Sequence, residues 1–453
     1  RSEKTPAAEP AAQPAEPTPP SVFPAVSEEK EQEYLKRISD DAARQIQNNV
    51  RSQVKAELKE EIQREARAEG WYEKVPDWVK KISLGGDIRL RYQGDFFEDD
   101  NEPVFDFRDP VPPDGPIPLF NNTVDRNRYR YRLRLNLNAE INDQFEAAVR
   151  IATGNEDDPV STNDTLGDFY NKDGIVLDRA YLRWNPILEF NAWGGRFPNP
   201  WFYTDLVWDS DLNFEGFAAS YSVELSRQFR PFITAGFFPL QEVEFSSNDK
   251  YMLGGQIGTE YRPRADLIAK LGVAYYGYSN ITGEFNDPSG DPNEKDYTAP
   301  LFQQKGNTLM FINIPGDPAL SAYAAEFDLL NITGTFDVAL FYPIHILFTA
   351  DYVNNLGFDR DEVAARVEES GIDTTVSDDN EGYQVGLAVG HPLISNLWDW
   401  NVALFYKYLE SDAVPDAFTD SDFHGGGTNA KGWTLSGDLG LYRNIWLRMK
   451  YLS

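Results

Sequence analysis

Apolar and polar residues alternate strictly between Asn127 and Ala139, which is the pattern of a β-strand. The opposite faces carry two sets of side chains: Tyr129, Tyr131, Leu133, Leu135, Leu137 and Ala139 on one face, and Arg128, Arg130, Arg132, Arg134, Asn136 and Asn138 on the other. Successive side chains of a strand point to opposite faces, so this strand has one apolar face and one face with a ladder of arginines.

The same alternation recurs in about fifteen segments from Ile82 to the end of the chain. These segments are near 82–93, 127–140, 144–153, 176–185, 189–197, 212–222, 231–241, 250–262, 266–279, 322–336, 338–353, 381–390, 399–409, 431–442 and 445–453. A charge on a lipid-facing strand costs about 2–4 kcal/mol at mid-membrane, and a protein core would bury the arginines unpaired. The pattern therefore predicts an all-β antiparallel transmembrane barrel with a water-filled, charged lumen.

The connections between these segments alternate between short turns and long loops, as in outer-membrane barrels. Short turns include 141–143, 262–264, Tyr342-Pro343 and Arg443-Asn444, whereas long loops include 198–211 and 281–321. Bacterial barrels have even strand numbers. An odd count leaves two alternatives, either a closing strand of about ten residues that this sequence lacks, or one miscounted strand. The expected barrel has about sixteen strands.

The segment before the barrel divides into three parts. Residues 1–27 are rich in Pro and Ala, which predicts a flexible tether. Residues 28–70 contain a helical apolar stripe, which indicates either an oligomerising periplasmic helix or a solitary solvated helix with charge pairs along its length. Residues 71–81 contain aromatic residues and predict a collar at the membrane surface. The barrel itself is expected over 82–453.

Composition excludes several classes of protein. The chain of 453 residues has no cysteine, a formal net charge of −31 and a mean hydropathy of −0.51. No run of about eighteen apolar residues exists, so a helical membrane span is excluded. The acidic balance argues against a nucleic-acid partner. Because the chain begins with Arg1 and shows no signal peptide, we interpret it as a mature or trimmed form.

No arrangement typical of an enzyme is visible. The three histidines, His345, His391 and His424, lie on a strand, in a short turn and in a long loop, and no nucleophile elbow, zinc motif or phosphate loop occurs. We expect no catalytic residues, no cofactor and no metal. The acidic loops 98–102, 155–158 and 377–381 lack calcium-loop spacing, so solvated loops are favoured over calcium sites.

Three sequence stretches carry a resemblance to a known family. They are Ile82-Ser83-Leu84-Gly85-Gly86-Asp87-Ile88-Arg89-Leu90-Arg91-Tyr92, Gly194-Gly195-Arg196-Phe197-Pro198-Asn199-Pro200 and Trp208-Asp209-Ser210-Asp211-Leu212-Asn213-Phe214-Glu215-Gly216. With the arginine-tyrosine strand, they resemble bacterial outer-membrane putative porins over roughly residues 75–453. The resemblance implies a β-barrel of about sixteen strands, often trimeric, that passes small solutes passively. The C-terminus departs from it, because the closing strand and a terminal aromatic residue are not seen.

The candidate pore residues form two sets of opposite charge. The predicted basic wall comprises Arg89, Arg91, Arg128, Arg130, Arg132, Arg134, Arg179, Arg183, Arg196, Lys407, Arg448 and Lys450. The third long loop, which commonly folds into the pore of sixteen-stranded porins, offers Asp205, Asp209 and Asp211. Acid and base on opposite sides of a constriction would create a transverse field. Alternatively, the arginines pair with neighbouring carboxylates along a wide wall, and the loop aspartates are simply exposed.

The sequence therefore predicts a passive porin for small hydrophilic solutes and ions. We expect it in the bacterial outer membrane, among lipid and lipopolysaccharide, as a homotrimer whose N-terminal helices form a coiled coil in the periplasm. One alternative is a structural anchor that links the membrane to the cell wall through the N-terminal segment. Another is a soluble all-β binding protein. Net charge suggests cation selectivity and the arginine ladder suggests anions, so selectivity stays open.

Overall fold

The computed structural model describes residues 81–453, apart from 109, 112–115, 117, 245–246, 288, 314–318 and 373–374. The predicted tether, the predicted helix and nearly all of the predicted collar therefore lie outside the described residues. Residues Lys81–Ser453 form one compact unit.

Among the described residues, fifteen long antiparallel strands form one continuous sheet in which each strand pairs with its sequence neighbours. They are β1 (Ile82–Asp95), β2 (Arg126–Glu140), β3 (Phe145–Ala152), β4 (Val176–Ile187), β5 (Phe190–Pro198), β6 (Asn213–Ser222), β7 (Phe229–Gln241), β8 (Lys250–Arg264), β9 (Leu267–Ser279), β10 (Asp328–Phe341), β11 (Ile344–Asn355), β12 (Glu381–Gly390), β13 (Trp400–Leu409), β14 (Ala430–Tyr442) and β15 (Ile445–Leu452). A two-residue strand, Asp164–Thr165, adds to β2 and makes the sixteenth member of the sheet.

Most strand limits agree with the sequence prediction to within a few residues, but the limits of β10 and β11 were wrong. The strands predicted at 322–336 and 338–353 begin and end later, and they meet at the predicted turn Tyr342-Pro343. Residues Ser321–Tyr323 instead pair with Leu309–Phe311 in a separate two-stranded ribbon. An apolar alternating run of three residues carries too little information to separate a ribbon inside a loop from a wall strand.

The two faces of the sheet differ as the alternation predicts. On β1 the side chains of Ile88 and Leu90 are 74% and 80% exposed and point outward. Aromatic pairs cross neighbouring strands on the outer face, for example Tyr406 with Trp433, whose ring centroids lie 5.0 Å apart. An apolar outer face with aromatic residues near the strand ends is the surface that a bilayer requires.

The sheet curls until its first and last strands face the same loop. No backbone register pairs β1 with β15 among the described residues. However, Arg91 of β1 lies 2.8 Å and Lys450 of β15 lies 3.9 Å from the carboxylate of Asp422. Side chains from both edges can reach one carboxylate only if the sheet is strongly curved, as in a barrel.

Long loops and short turns alternate between the strands, as predicted. The long loops contain the helix α1 (Arg360–Glu369) and the 3₁₀ turns Asp296–Thr298, Asp416–Phe418 and Phe423–Gly425. The side chain of Asp359 caps α1 by accepting hydrogen bonds from the backbone N–H groups of Asp361 and Glu362. No helix in the described part of the chain is long and apolar enough to cross a membrane.

Candidate functional site: a loop across a charged lumen

The loop of residues 199–212, here called the crossing loop, joins β5 to β6 and lies against the inner face of the sheet. Trp208 is its central side chain and is only 1% exposed. The ring of Trp208 meets Phe214 at 5.0 Å, Tyr276 at 5.1 Å and Phe418 at 6.1 Å between centroids. Because these partners come from β6, β9 and a distant loop, the packing of one tryptophan fixes the crossing loop inside the barrel.

Hydrogen bonds hold the crossing loop to two strands and to a second loop. The amide of Gln256 on β8 accepts from the N–H of Phe202 and donates to its carbonyl oxygen, both at 2.8 Å. Thr204 donates to Asp351 of β11 at 2.5 Å. The N–H of Asp209 donates to the carbonyl oxygen of Phe418 at 2.8 Å. The loop is thus tethered along its length rather than hinged at its ends.

The inner face of the sheet has an apolar part and a charged part. From β5 to β11 it presents buried side chains that pack with the crossing loop, namely Phe197, Phe214, Phe238, Met252, Tyr276, Leu329 and Val353. Two further loops, 280–327 and 410–429, extend this packing and are joined by polar contacts. Tyr323 donates to Asp416 at 2.5 Å, and the N–H of Thr308 donates to Asp412 at 2.9 Å. Loops therefore fill the lumen beside the apolar strands.

The charged part contains most of the predicted basic wall. The inner face carries Arg89, Arg91, Arg128, Arg130, Arg132, Arg134, Arg179, Arg183, Lys407, Arg448 and Lys450, opposite the apolar residues of the same strands. Many of them pair with carboxylates. Arg128 binds Asp95 at 2.8 Å, and Arg448 binds Asp438 at 2.6 Å. Whether these residues line the path of a solute stays a prediction.

Arg196 does not belong to this wall, and its predicted orientation was wrong. It lies opposite Ala180 of β4 and Glu215 of β6 in the strand register, and it shares the outer face with Gly194. The inward residues of β5 are Trp193 and Phe197. Arg196 binds Glu215 at 2.5 Å on the outer surface. The Gly194-Gly195 pair before Arg196 interrupts the alternation of apolar and polar side chains. Glycine has no side chain, so it does not show which face of the strand is apolar.

The three aspartates of the crossing loop have different environments. Asp205 is 44% exposed and lies 3.4 Å from the ammonium group of Lys407. Asp211 is 9% exposed and binds Arg134 at 3.1 Å. Asp209 is 4% exposed and accepts only backbone hydrogen bonds, from Asp211 at 2.6 Å and Ser421 at 2.8 Å. Asp209 therefore joins two loops and does not present its charge to open solvent.

Burial has a clear electrostatic consequence at Asp209. Removal from water disfavours the ionised carboxylate and raises the pKa of Asp209 to about 7, although the two backbone N–H groups partly offset this effect. Near neutral pH the side chain is therefore close to half-protonated. The junction between the crossing loop and loop 410–429 is thus sensitive to pH.

Two acidic residues of loop 410–429 meet the basic wall, and the sequence analysis did not single them out. Asp422 accepts two hydrogen bonds from Nη1 of Arg91, at 2.8 and 3.1 Å. Asp420 lies 3.6 Å from Lys407 and 3.9 Å from Lys450. The short acidic motif Asp420-Ser421-Asp422 was the available signal. However, nothing in the sequence shows that this loop folds inward.

A buried ion pair on β3 and β4 was also missed. Arg150 and Asp178 form a salt bridge, and both are almost fully buried. Asn213, at the start of β6, donates to Asp178 at 2.7 Å and accepts from Arg179 at 2.7 Å. This cluster fixes the point at which the crossing loop returns to the sheet.

Comparison with known proteins shows the family of this chain. Residues 3–453 match the family described as "putative porin". The chain belongs to this family. A search of curated proteins found no match.

Solved structures similar to this porin include the outer membrane channel DcaP of Acinetobacter baumannii, with 11% identity over 82% of this chain and 97% of that chain and a TM-score of 0.35. A triple mutant of the Rhodopseudomonas blastica porin shows 11% identity over 82% and 94% of the two chains, with a TM-score of 0.38. OmpT of Vibrio cholerae shows 8% identity over 82% and 97%, with a TM-score of 0.34.

Family membership makes this porin an outer-membrane channel protein with a β-barrel fold. The structure also shows which residues occupy the different parts of the lumen. The mainly apolar strands and the inward loops fill part of the lumen, and the basic wall with Asp420 and Asp422 lines another part. A water-filled path beside charged side chains needs no catalytic group to pass a polar solute.

Proposed function

We propose that this porin lets small hydrophilic solutes and ions diffuse passively past the basic wall, beside the crossing loop. The single observation that carries the proposal is that the crossing loop is held in place while charged side chains in the lumen stay partly exposed. The crossing loop is tied to the apolar strands by Trp208 and Gln256, whereas charged side chains on β1, β2 and β15 remain partly exposed. Charged groups that face water inside a barrel are the lining that a diffusion pore requires.

The opposed charges support a constriction at this place. Arg91 and Lys450 approach Asp422 from the two edge strands, and Lys407 lies between Asp205 and Asp420. Fixed charges of both signs across a narrow gap orient water and favour small polar solutes over apolar ones. The acidic side of this field comes mainly from loop 410–429, with Asp205 the partly exposed contribution of the crossing loop.

We also propose the assembly and location that the sequence suggested. The barrel would be a homotrimer embedded among outer-membrane lipid and lipopolysaccharide, with residues 1–80 in the periplasm. Light scattering in detergent, corrected for bound detergent, would give about three times the chain mass for a trimer. A monomer mass would contradict this part of the proposal alone. The anchor function is separable, because deletion of residues 1–70 should then release the envelope attachment without loss of the barrel.

Single-channel recording tests the proposed diffusion pore directly. Purified full-length protein is inserted into a planar bilayer with KCl on both sides, and stepwise conductance increases are expected. Insertion is verified independently by protease protection of the same protein in vesicles. A protein that inserts but gives no conductance, at any applied voltage, would refute the diffusion pore.

A further inference from the structure

Four arginine side chains meet at the inner face of β1 and β2. The strand register places Arg91 directly opposite Arg130, and Arg89 directly opposite Arg132. Like charges at directly opposed positions of neighbouring strands repel and destabilise the pairing. Each of the four guanidinium groups therefore needs a nearby anion.

The described residues supply carboxylates to only two of these four arginines. Arg91 binds Asp422 at 2.8 Å, and Arg132 binds Asp87 at 2.9 Å. Arg89 has a hydrogen bond to the side-chain oxygen of Asn163, which is neutral. For Arg130, no ion pair and no side-chain hydrogen bond to any described residue is found. The two arginines without a carboxylate are diagonal neighbours in the register.

Both side chains also have an unpaired donor atom, as do Arg128 and Arg183, which each have a carboxylate partner. The Nε atoms of Arg89 and Arg130 are buried from solvent, and neither has a hydrogen-bond partner within the described part of the chain. A buried donor without an acceptor is unfavourable. The guanidinium group presents its donors as a planar fork, which matches the oxygen atoms of carboxylate and phosphate.

The ion-pair network around Arg89 and Arg130 also contains more cations than carboxylates. Counted over the described residues, the connected network holds seven cations and five carboxylates. The cations are Arg89, Arg91, Arg130, Arg132, Arg134, Lys407 and Lys450, and the carboxylates are Asp87, Asp205, Asp211, Asp420 and Asp422. Asp158 adds a sixth carboxylate near Arg130, although it makes no ion pair with it, so one positive charge remains unmatched. The whole chain, by contrast, has a net charge of −31.

We propose that Arg89 and Arg130 form a binding site for a small oxyanion, such as inorganic phosphate or a small carboxylate, on the wall of the lumen. The site rests on the proposed function, since solutes would reach it through the pore. It gives the channel a preference for anions that the total charge of the chain would not suggest. Phosphate held there would also obstruct the passage of chloride.

The test combines selectivity with block by phosphate. The reversal potential of the wild-type channel is measured across a KCl gradient, and chloride current is then titrated with inorganic phosphate. We expect an anion-selective reversal potential and a saturable, phosphate-dependent reduction of the current. The double variant Arg89→Gln/Arg130→Gln should move the reversal potential towards cation selectivity and weaken phosphate block at least tenfold.

Two further variants separate an oxyanion site from a general positive field. Arg89→Lys/Arg130→Lys keeps both charges but removes the planar forks, so it should retain the reversal potential and lose most of the phosphate block. Arg196→Gln/Glu215→Gln removes a matched pair from the outer face, away from the lumen, and should change neither quantity. All variants are checked for heat-modifiable electrophoretic mobility, which reports a folded barrel.

Failure of the inference is distinguishable from failure of the pore. A conducting channel whose current is unaffected by phosphate, or whose block is the same in Arg89→Gln/Arg130→Gln, overturns the oxyanion site and leaves diffusion intact. If no variant conducts, phosphate binding to detergent-solubilised protein is measured by calorimetry. Binding by wild type that the double glutamine variant loses supports the site, and its absence from wild type overturns it.

Discussion

Trp208 holds the crossing loop inside the barrel, and replacing it with alanine should free that loop. A buried tryptophan removes about 150–250 Å² from water, which at about 25 cal/mol per Å² corresponds to about 4–6 kcal/mol. Measured Trp→Ala changes in cores cost about 3–5 kcal/mol. Its ring partners Phe214, Tyr276 and Phe418 come from three separate elements, so the loss falls on the attachment of the loop rather than on the strand hydrogen bonds.

A loss of about 4 kcal/mol in loop attachment raises the population of the open loop by about a thousandfold. Hydrogen exchange measured by mass spectrometry should therefore accelerate in peptides that cover residues 199–212, by roughly two to three orders of magnitude where exchange proceeds through loop opening. Peptides from the wall strands should change little. In bilayers, the single-channel conductance of Trp208→Ala should be larger and noisier, because the loop would no longer occupy a fixed place.

The matched control is Trp433→Ala. Trp433 lies on the outer face of β14 and is 50% exposed, so its removal should leave exchange in 199–212 unchanged. If Trp208→Ala exchanged at the wild-type rate throughout that segment, Trp208 would not be what holds the loop, and the packing argument would be refuted.

Three other changes should have separable effects. The raised pKa of Asp209, about 7 against about 4 when unfolded, means that the folded state holds a proton which the unfolded chain releases. The stability of the loop junction should thus be full below pH 4 and fall as pH rises to 7, and Asp209→Asn should abolish this slope in exchange-versus-pH experiments. A Cβ atom added at Gly258 would lie 2.3 Å from the ring of Phe232 and 2.4 Å from the backbone oxygen of Leu271. A Cβ atom added at Gly255 would contact no neighbouring atom. Gly258→Ala should lower stability in urea titrations by about 1–3 kcal/mol and Gly255→Ala by much less; equal effects would contradict the packing. Leu404→Arg, on the outer face, should cost about 2–4 kcal/mol in the same titrations, unlike a lumen-facing substitution.

Much of the fold follows from the period of the sequence. The strict alternation in β2 gives both its strand structure and its two faces, because only one arrangement keeps Arg128 to Arg134 out of lipid. The same reasoning failed at Arg196, where two glycines interrupt the pattern, and at β10, where a short ribbon precedes the wall strand. The alternation thus shows which face of a strand points to lipid wherever its side chains are clearly apolar or polar.

The candidate site was less predictable, since it depends on where loops fold. Asp209 and Asp211 have the same charge and lie two positions apart. However, Asp209 accepts a backbone hydrogen bond from Ser421, while Asp211 binds Arg134. Local sequence does not distinguish the two environments, because each is created by a partner far along the chain. Asp422 was overlooked for the same reason, with its partner Arg91 lying 331 residues away.

The position of the crossing loop also explains how apolar and charged side chains share the lumen. Leu206, Val207 and Trp208 need an apolar surface, and the strands from β5 to β11 provide it through Tyr276, Phe238 and their neighbours. A charged side chain beneath this loop is buried and needs partners, as Asp351 has in Thr204 and Asn331. The crossing loop also reaches the basic wall, where its Asp211 and Asp205 lie beside Arg134 and Lys407. Other carboxylates come from β1, as Asp87 does, and from loop 410–429, as Asp422 does. Arg89 and Arg130 have loop carboxylates nearby but none in ion-pair contact among the described residues, and the proposed oxyanion would supply that contact.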